Sequence, residues 1–110
     1  MTRDVRITIL RSEVDRELAE QYAVPGFKAC PFHKAGQVFV SDGKHKPEGL
    51  CEYAWNPIKE MVKILSERKL LQQKDTWMLG DDKGVFSCVD GLRPVILLLE
   101  AIHTDERGKK

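Results

Sequence analysis

Cysteine and histidine side chains that could bind a metal or attack a substrate are concentrated in residues 29–51. Cys30 and His33 form a C-x-x-H step there, and Cys51 closes the stretch, while the third and last cysteine, Cys88, lies far downstream. Thiolate and imidazole are the ligands that zinc and iron prefer, usually with all positions filled at a structural site. These residue types therefore predict a zinc or iron site formed by Cys30, His33, Cys51 and Cys88. With only three protein ligands, the open position could polarise a water or a small-molecule substrate.

Cys51 supports a second hypothesis, in which a thiol acts without a metal. It lies at the beginning of a predicted helix, where backbone N–H groups and the positive end of the helix dipole favour a thiolate. His33 or His45 could act as its base, and Cys30 could form a reversible redox pair with it. The catalytic candidates are then Cys51 and His33. A third hypothesis is an interaction module in which the cysteines serve only packing.

Arg93, which precedes Pro94, could reach an anion in a cleft. No second residue in the sequence supports such a site.

Composition limits the classes of function. The chain has 110 residues and a formal net charge of +1, which predicts one domain over residues 1–103 and a charged, disordered tail over residues 104–110. The sequence lacks the stripe of basic residues that is typical of nucleic-acid-binding proteins. It also lacks an apolar run long enough to span a membrane. The charged beginning lacks the apolar region of a secretory signal, so a cytoplasmic location is expected. In that setting an odd number of cysteines disfavours structural disulfides.

Hydrophobic periodicity predicts the elements that must position these residues. An alternating pattern predicts a strand at residues 4–11, and Ser12 precedes a short helix at residues 13–22. The main helix lies within residues 50–69. Either Asn56 is its N-cap and Pro57 its first helical residue, or an earlier turn is kinked at Pro57. Further strands are predicted at residues 37–41, 76–79, 85–89 and 94–102, the last apolar on both faces and hence central.

The order β-α-β-α-β-β-β favours an α+β fold over a doubly wound sheet. We expect a small curved mixed or antiparallel sheet of about five strands, with a partial barrel as an alternative form. The apolar helix face formed by Ile58, Met61, Val62 and Leu65 should pack on the last strand. The sequence does not decide whether the protein is a monomer or a homo-oligomer. An exposed Val62 or Leu65 on this helix face would indicate a dimer interface.

Three stretches of sequence stand out in combination. They read C-P-F-H-K-A-G-Q-V-F-V at residues 30–40, P-E-G-L-C-E-Y-A-W at residues 47–55 and S-C-V-D-G-L-R-P-V-I at residues 87–96. Together they resemble a family of small prokaryotic proteins of similar length, with a C-P opening, a G-L-C-x-x-A centre and a late C-x-D. The resemblance covers residues 5–102 and implies no particular reaction. It singles out Cys30, His33, Gly36, Gly49, Cys51 and Cys88.

Overall fold

The computed structural model describes residues 2–69, 78–80 and 82–102, and the fold is α+β. Its elements, in chain order, are β1 (Val5–Ser12), α1 (Arg16–Tyr22), β2 (Val38–Ser41), α2 (Glu52–Ser66), β3 (Lys83–Ser87) and β4 (Val95–Ala101). The predicted tail at residues 104–110 lies outside the described residues. No helix in the described part of the chain is long and apolar enough to cross a membrane.

The sheet is open and antiparallel, with the strand order β2-β1-β4-β3. It holds four strands within the described residues instead of the expected five. Residues 76 and 77 of the expected additional strand lie outside the described residues, and Met78 and Leu79 are not in a strand. The alternative of a partial barrel is wrong, because β2 and β3 lie at opposite edges and do not pair.

The core lies between α2 and one face of the two central strands. Alternate residues of β1 and β4 are buried, as expected for strands with one face on a core. From α2, Ile58, Val62 and Leu65 pack into the same cluster as Leu97 and Leu99. The predicted packing of the helix on the last strand is therefore confirmed, and so is the central place of that strand.

The N-cap of α1 differs from the one expected from the sequence, and the N-cap of α2 decides between the two predicted alternatives. The Asp15 carboxylate accepts the Leu18 N–H at 3.1 Å, so Asp15 caps α1 in place of Ser12. Cys51 is the N-cap of α2, and the helix runs through Pro57. Asn56 is therefore inside the helix, and of the two alternatives the one with a helical turn before Pro57 is confirmed.

Candidate functional site

The four residues predicted to carry chemistry line a single cavity of about 320 Å³. The loop 30–33, the first turn of α2 and the loop 88–93 meet around it. The three cysteines are half-buried free thiols. The remaining lining residues are Phe32, Tyr53, Ala54, Val89, Asp90, Arg93 and Val95. Residues that are far apart in the sequence thus share one small, mostly apolar space.

Cys51 occupies the N-cap of α2, where the backbone is extended, with φ −64° and ψ 140°. Its side chain makes no capping hydrogen bond. The first N–H groups of a helix have no acceptor within the helix, and they carry the positive end of its dipole. The Cys51 thiol therefore lies at the helix N-terminus, which is the position that the sequence predicted.

Hydrogen bonding distinguishes Cys51 from the other two cysteines. The Cys30 sulfur accepts the Phe32 N–H at 3.4 Å, and the Cys88 sulfur accepts the Val95 N–H at 3.3 Å. Cys88 also donates its own N–H to the Val95 carbonyl at 3.0 Å. Two sulfurs are thus held by the backbone, whereas the Cys51 sulfur has no such partner among the described residues.

His33 is fully buried, and both of its ring nitrogens are engaged. Nε2 accepts the backbone N–H of Cys51 at 3.1 Å. Nδ1 lies 2.9 Å from the side-chain oxygen of Gln37, which also accepts the Lys34 N–H at 3.2 Å. Because a backbone N–H can only donate, Nε2 is the unprotonated nitrogen and Nδ1 carries the proton. His33 is therefore a neutral imidazole that ties its loop to the beginning of α2.

This bonding determines what His33 can do for Cys51. The imidazole reaches Cys51, but its lone pair meets the backbone N–H instead of the sulfur. The ring also packs edge-on against Phe39, with the ring centroids 5.6 Å apart. The other candidate base, His45, is exposed, lies outside the cavity and pairs with Asp42 at 2.8 Å. In this arrangement neither histidine takes a proton from the thiol.

Pro57 explains how the Cys88 loop is attached to α2. In an uninterrupted helix the Tyr53 carbonyl would accept the N–H of residue 57, but proline has none. That carbonyl instead accepts the Val89 N–H at 3.3 Å, from the residue that follows Cys88. Pro57 thus leaves the Tyr53 carbonyl without a partner in the helix, and the bond from Val89 to this carbonyl holds the Cys88 loop at the cavity.

Arg93 and Asp90 form the charged part of the cavity, and the sequence alone offered no partner for Arg93. The arginine Nε donates to Asp90 at 3.0 Å, and the guanidinium lies 4.9 Å from the centroid of the Phe27 ring. Desolvation alone would raise the pKa of Asp90. The N–H groups of Leu92 and Arg93 and the Arg93 guanidinium outweigh it and hold that pKa below its ordinary value. The turn at Asp90 and Gly91 thus orients Arg93.

The side chains do not converge as the ligands of a bound metal would. Among the described residues, no three or more histidine, cysteine, aspartate or glutamate side chains are grouped so that they could hold a metal ion. His33, moreover, has no lone pair to offer while it accepts the Cys51 N–H. A zinc or iron site would need the His33 bond to break, or the three thiols to converge without it. It stays a prediction.

The chain matches no protein-family model, no curated protein and no solved structure. The resemblance to small prokaryotic proteins therefore stays a prediction as well. A functional assignment rests on the chemistry of the cavity.

Proposed function

We propose that this protein performs thiol chemistry on a small molecule in the cavity, with Cys51 as the nucleophile. The observation that carries the proposal is the placement of Cys51 at the first turn of a 15-residue helix, with its sulfur free of capping bonds. A helix N-terminus stabilises the thiolate, which is the reactive form of cysteine. Three free thiols fit a reducing compartment such as the cytoplasm.

Thiol–disulfide exchange is the reaction that best uses the three cysteines. The Cys51 thiolate attacks one sulfur of a substrate disulfide, forms a mixed disulfide and displaces the other sulfur as a thiolate. Cys30 or Cys88, which lines the same cavity, then attacks the Cys51 sulfur and releases the second half of the substrate. The protein ends with an internal disulfide, and the substrate has gained two electrons. His33 keeps the helix N-terminus and the loop of Cys30 together.

Alkylation of the reduced protein by iodoacetamide tests the assignment of Cys51. Peptide mass spectrometry over time gives a separate rate for each cysteine. We expect Cys51 to react at least about tenfold faster than Cys30 or Cys88, because a nucleophilic cysteine has a larger thiolate fraction. Cys51→Ser should remove the fast phase and leave the thermal midpoint nearly unchanged. Cys88→Ala should act mainly through stability, since it removes the acceptor of the Val95 N–H.

Equal rates at the three cysteines, or a fast phase that persists in Cys51→Ser, would overturn the proposal. Cys88→Ser keeps an acceptor for the Val95 N–H and serves as the matched control for Cys88→Ala.

A metal-binding function, with zinc or iron, is the second candidate. It is favoured by the single cavity that Cys30, His33, Cys51 and Cys88 share. Elemental analysis of the purified protein separates the two candidates. A near-stoichiometric metal that is lost in Cys51→Ser supports the metal site, and a metal-free protein with a fast thiol supports exchange. With neither metal nor fast thiol, an interaction module is what is left.

A further inference from the structure

We infer that the small molecule that reacts at Cys51 carries a carboxylate, which binds to the guanidinium of Arg93. This inference rests on the proposed thiol function and names the class of its substrate. Arg93 lines the same cavity as the three cysteines. Among the lining residues that the structure describes, Arg93 is the one with a side chain that always carries a positive charge.

The guanidinium is held in place by two contacts that leave one edge free. Asp90 accepts from Nε at 3.0 Å, and the ring of Phe27 lies beneath the guanidinium carbon. In the described part of the chain, the two terminal Nη groups have no protein partner. Two parallel N–H donors on one edge match the two oxygens of a carboxylate, with which arginine forms bidentate pairs.

Asp90 does not occupy the position of the ligand. Its carboxylate already accepts the N–H groups of Leu92, at 2.9 Å, and Arg93, at 3.2 Å, in addition to the Arg93 Nε. These bonds turn Asp90 toward its own loop and orient the arginine. Asp90 lowers the net charge of the pair, so recognition depends on the two directed Nη donors. The positive end of α2 at the same cavity adds to the attraction of an anion.

The remaining lining selects for a small and otherwise apolar ligand. Phe32, Ala54, Val89 and Val95 contribute apolar surface. A cavity of about 320 Å³ is at the lower end of the range for small-molecule sites. The expected ligand has a carboxylate at one end and an electrophilic centre, such as a disulfide sulfur, within reach of Cys51.

Two alkylating probes that differ in charge test this inference. Iodoacetate and iodoacetamide are similar in size, and each reacts by forming a bond from the thiolate sulfur to the methylene carbon while iodide leaves. The measured quantity is the iodoacetate-to-iodoacetamide rate ratio at Cys51, divided by the same ratio for free cysteine. We expect this normalised ratio to be at least about 5, because the two free Nη donors of Arg93 and the positive end of α2 bind the anionic reagent. It should fall to 1 or below in Arg93→Gln, because the Asp90 carboxylate of the same cavity then has no cationic partner.

Arg16→Gln is the matched control, since Arg16 is exposed on α1 and does not line the cavity. Its ratio should equal that of the unsubstituted protein. Raising the salt concentration should lower the ratio of the unsubstituted protein, because salt screens exposed charges. This second test does not depend on whether the Arg93→Gln variant folds. A normalised ratio near 1 at a fast-reacting Cys51, or a high ratio unchanged by Arg93→Gln, would overturn the carboxylate inference alone. A Cys51 that is slow toward both probes would overturn the proposed thiol function itself.

Discussion

At the scale of single residues, His33 is the side chain whose role the structure defines most sharply. Its buried ring donates to Gln37 and accepts from the Cys51 backbone, so it connects the Cys30 loop to α2. We expect His33→Ala to lower the free energy of unfolding by roughly 2–4 kcal/mol, because it leaves a cavity and a partly buried N–H without an acceptor. Gln37→Glu should stay within about 1 kcal/mol, because a carboxylate accepts from both Nδ1 and the Lys34 N–H.

Urea unfolding of the two variants checks this prediction. If His33→Ala unfolds at the same midpoint as the unsubstituted protein, the imidazole does not hold the loop to the helix.

At the scale of elements, the turn after β2 packs tightly on the end of α2. Gly43 has φ 97°, and a Cβ built there would overlap the side chain of Ser66. Gly36 has a similar φ of 99°, but a Cβ there meets no atom within 4 Å. Gly36→Ala should therefore cost only the backbone strain, about 1–2 kcal/mol. Gly43→Ala should cost roughly 1–3 kcal/mol more, because it adds overpacking to the same strain.

Denaturant unfolding of the two variants gives both free energies, and their difference isolates the contact with Ser66. Equal losses would show that α2 can move away from the turn without cost.

Pro57 allows a second test at this scale, because it couples α2 to the Cys88 loop. Pro57→Ala restores an N–H that can bond to the Tyr53 carbonyl and compete with the Val89 N–H. We expect faster hydrogen exchange at the Val89 amide and faster alkylation of Cys88, even though alanine itself favours the helix. Lys59→Ala, at an exposed position of the same helix, should change neither rate. Unchanged Val89 exchange in Pro57→Ala would mean that the missing N–H does not hold the loop.

At the scale of the whole molecule, Asp42 and Asp90 make the free energy of unfolding depend on pH in the acidic range. The His45 side chain, together with the N–H groups of Lys44 and His45, holds the pKa of Asp42 far below its ordinary value. The pKa of Asp90 is also lowered, because the hydrogen bonds from Leu92 and Arg93 exceed the effect of desolvation. A carboxylate with a lowered pKa in the folded state contributes stability above its unfolded pKa and loses it as the pH falls.

We therefore expect the free energy of unfolding to decrease below about pH 4, the ordinary aspartate pKa. Urea midpoints measured across a series of pH values give this curve. Asp90→Asn keeps an oxygen for the Leu92 N–H but cannot be deprotonated, so its curve should be flatter in acid. Glu60→Gln, on the exposed side of α2, is the control for removal of one negative charge. A curve for Asp90→Asn parallel to that of the unsubstituted protein would contradict the prediction.

The local elements of this fold could be predicted from the sequence because hydrophobic periodicity reports which face of each element is buried. This was enough for the α+β class, the packing of Ile58 and Val62 on the last strand, and the place of Cys51 at a helix N-terminus. Element boundaries were less well predicted. The turn before Pro57 is helical because the freed Tyr53 carbonyl finds the Val89 N–H, a partner far away in the sequence.

The composition of the site was accessible from the sequence, but its arrangement was not. Residue type alone selected Cys30, His33, Cys51 and Cys88, and all four line one cavity. The sequence could not predict that the His33 lone pair would accept a backbone N–H, since hydrogen bonds between distant segments depend on how those segments pack. For the same reason only the tertiary structure decided that Arg93 faces the thiols. Asp90 orients the guanidinium from within the same turn, but the ring of Phe27 packs on it from a distant loop.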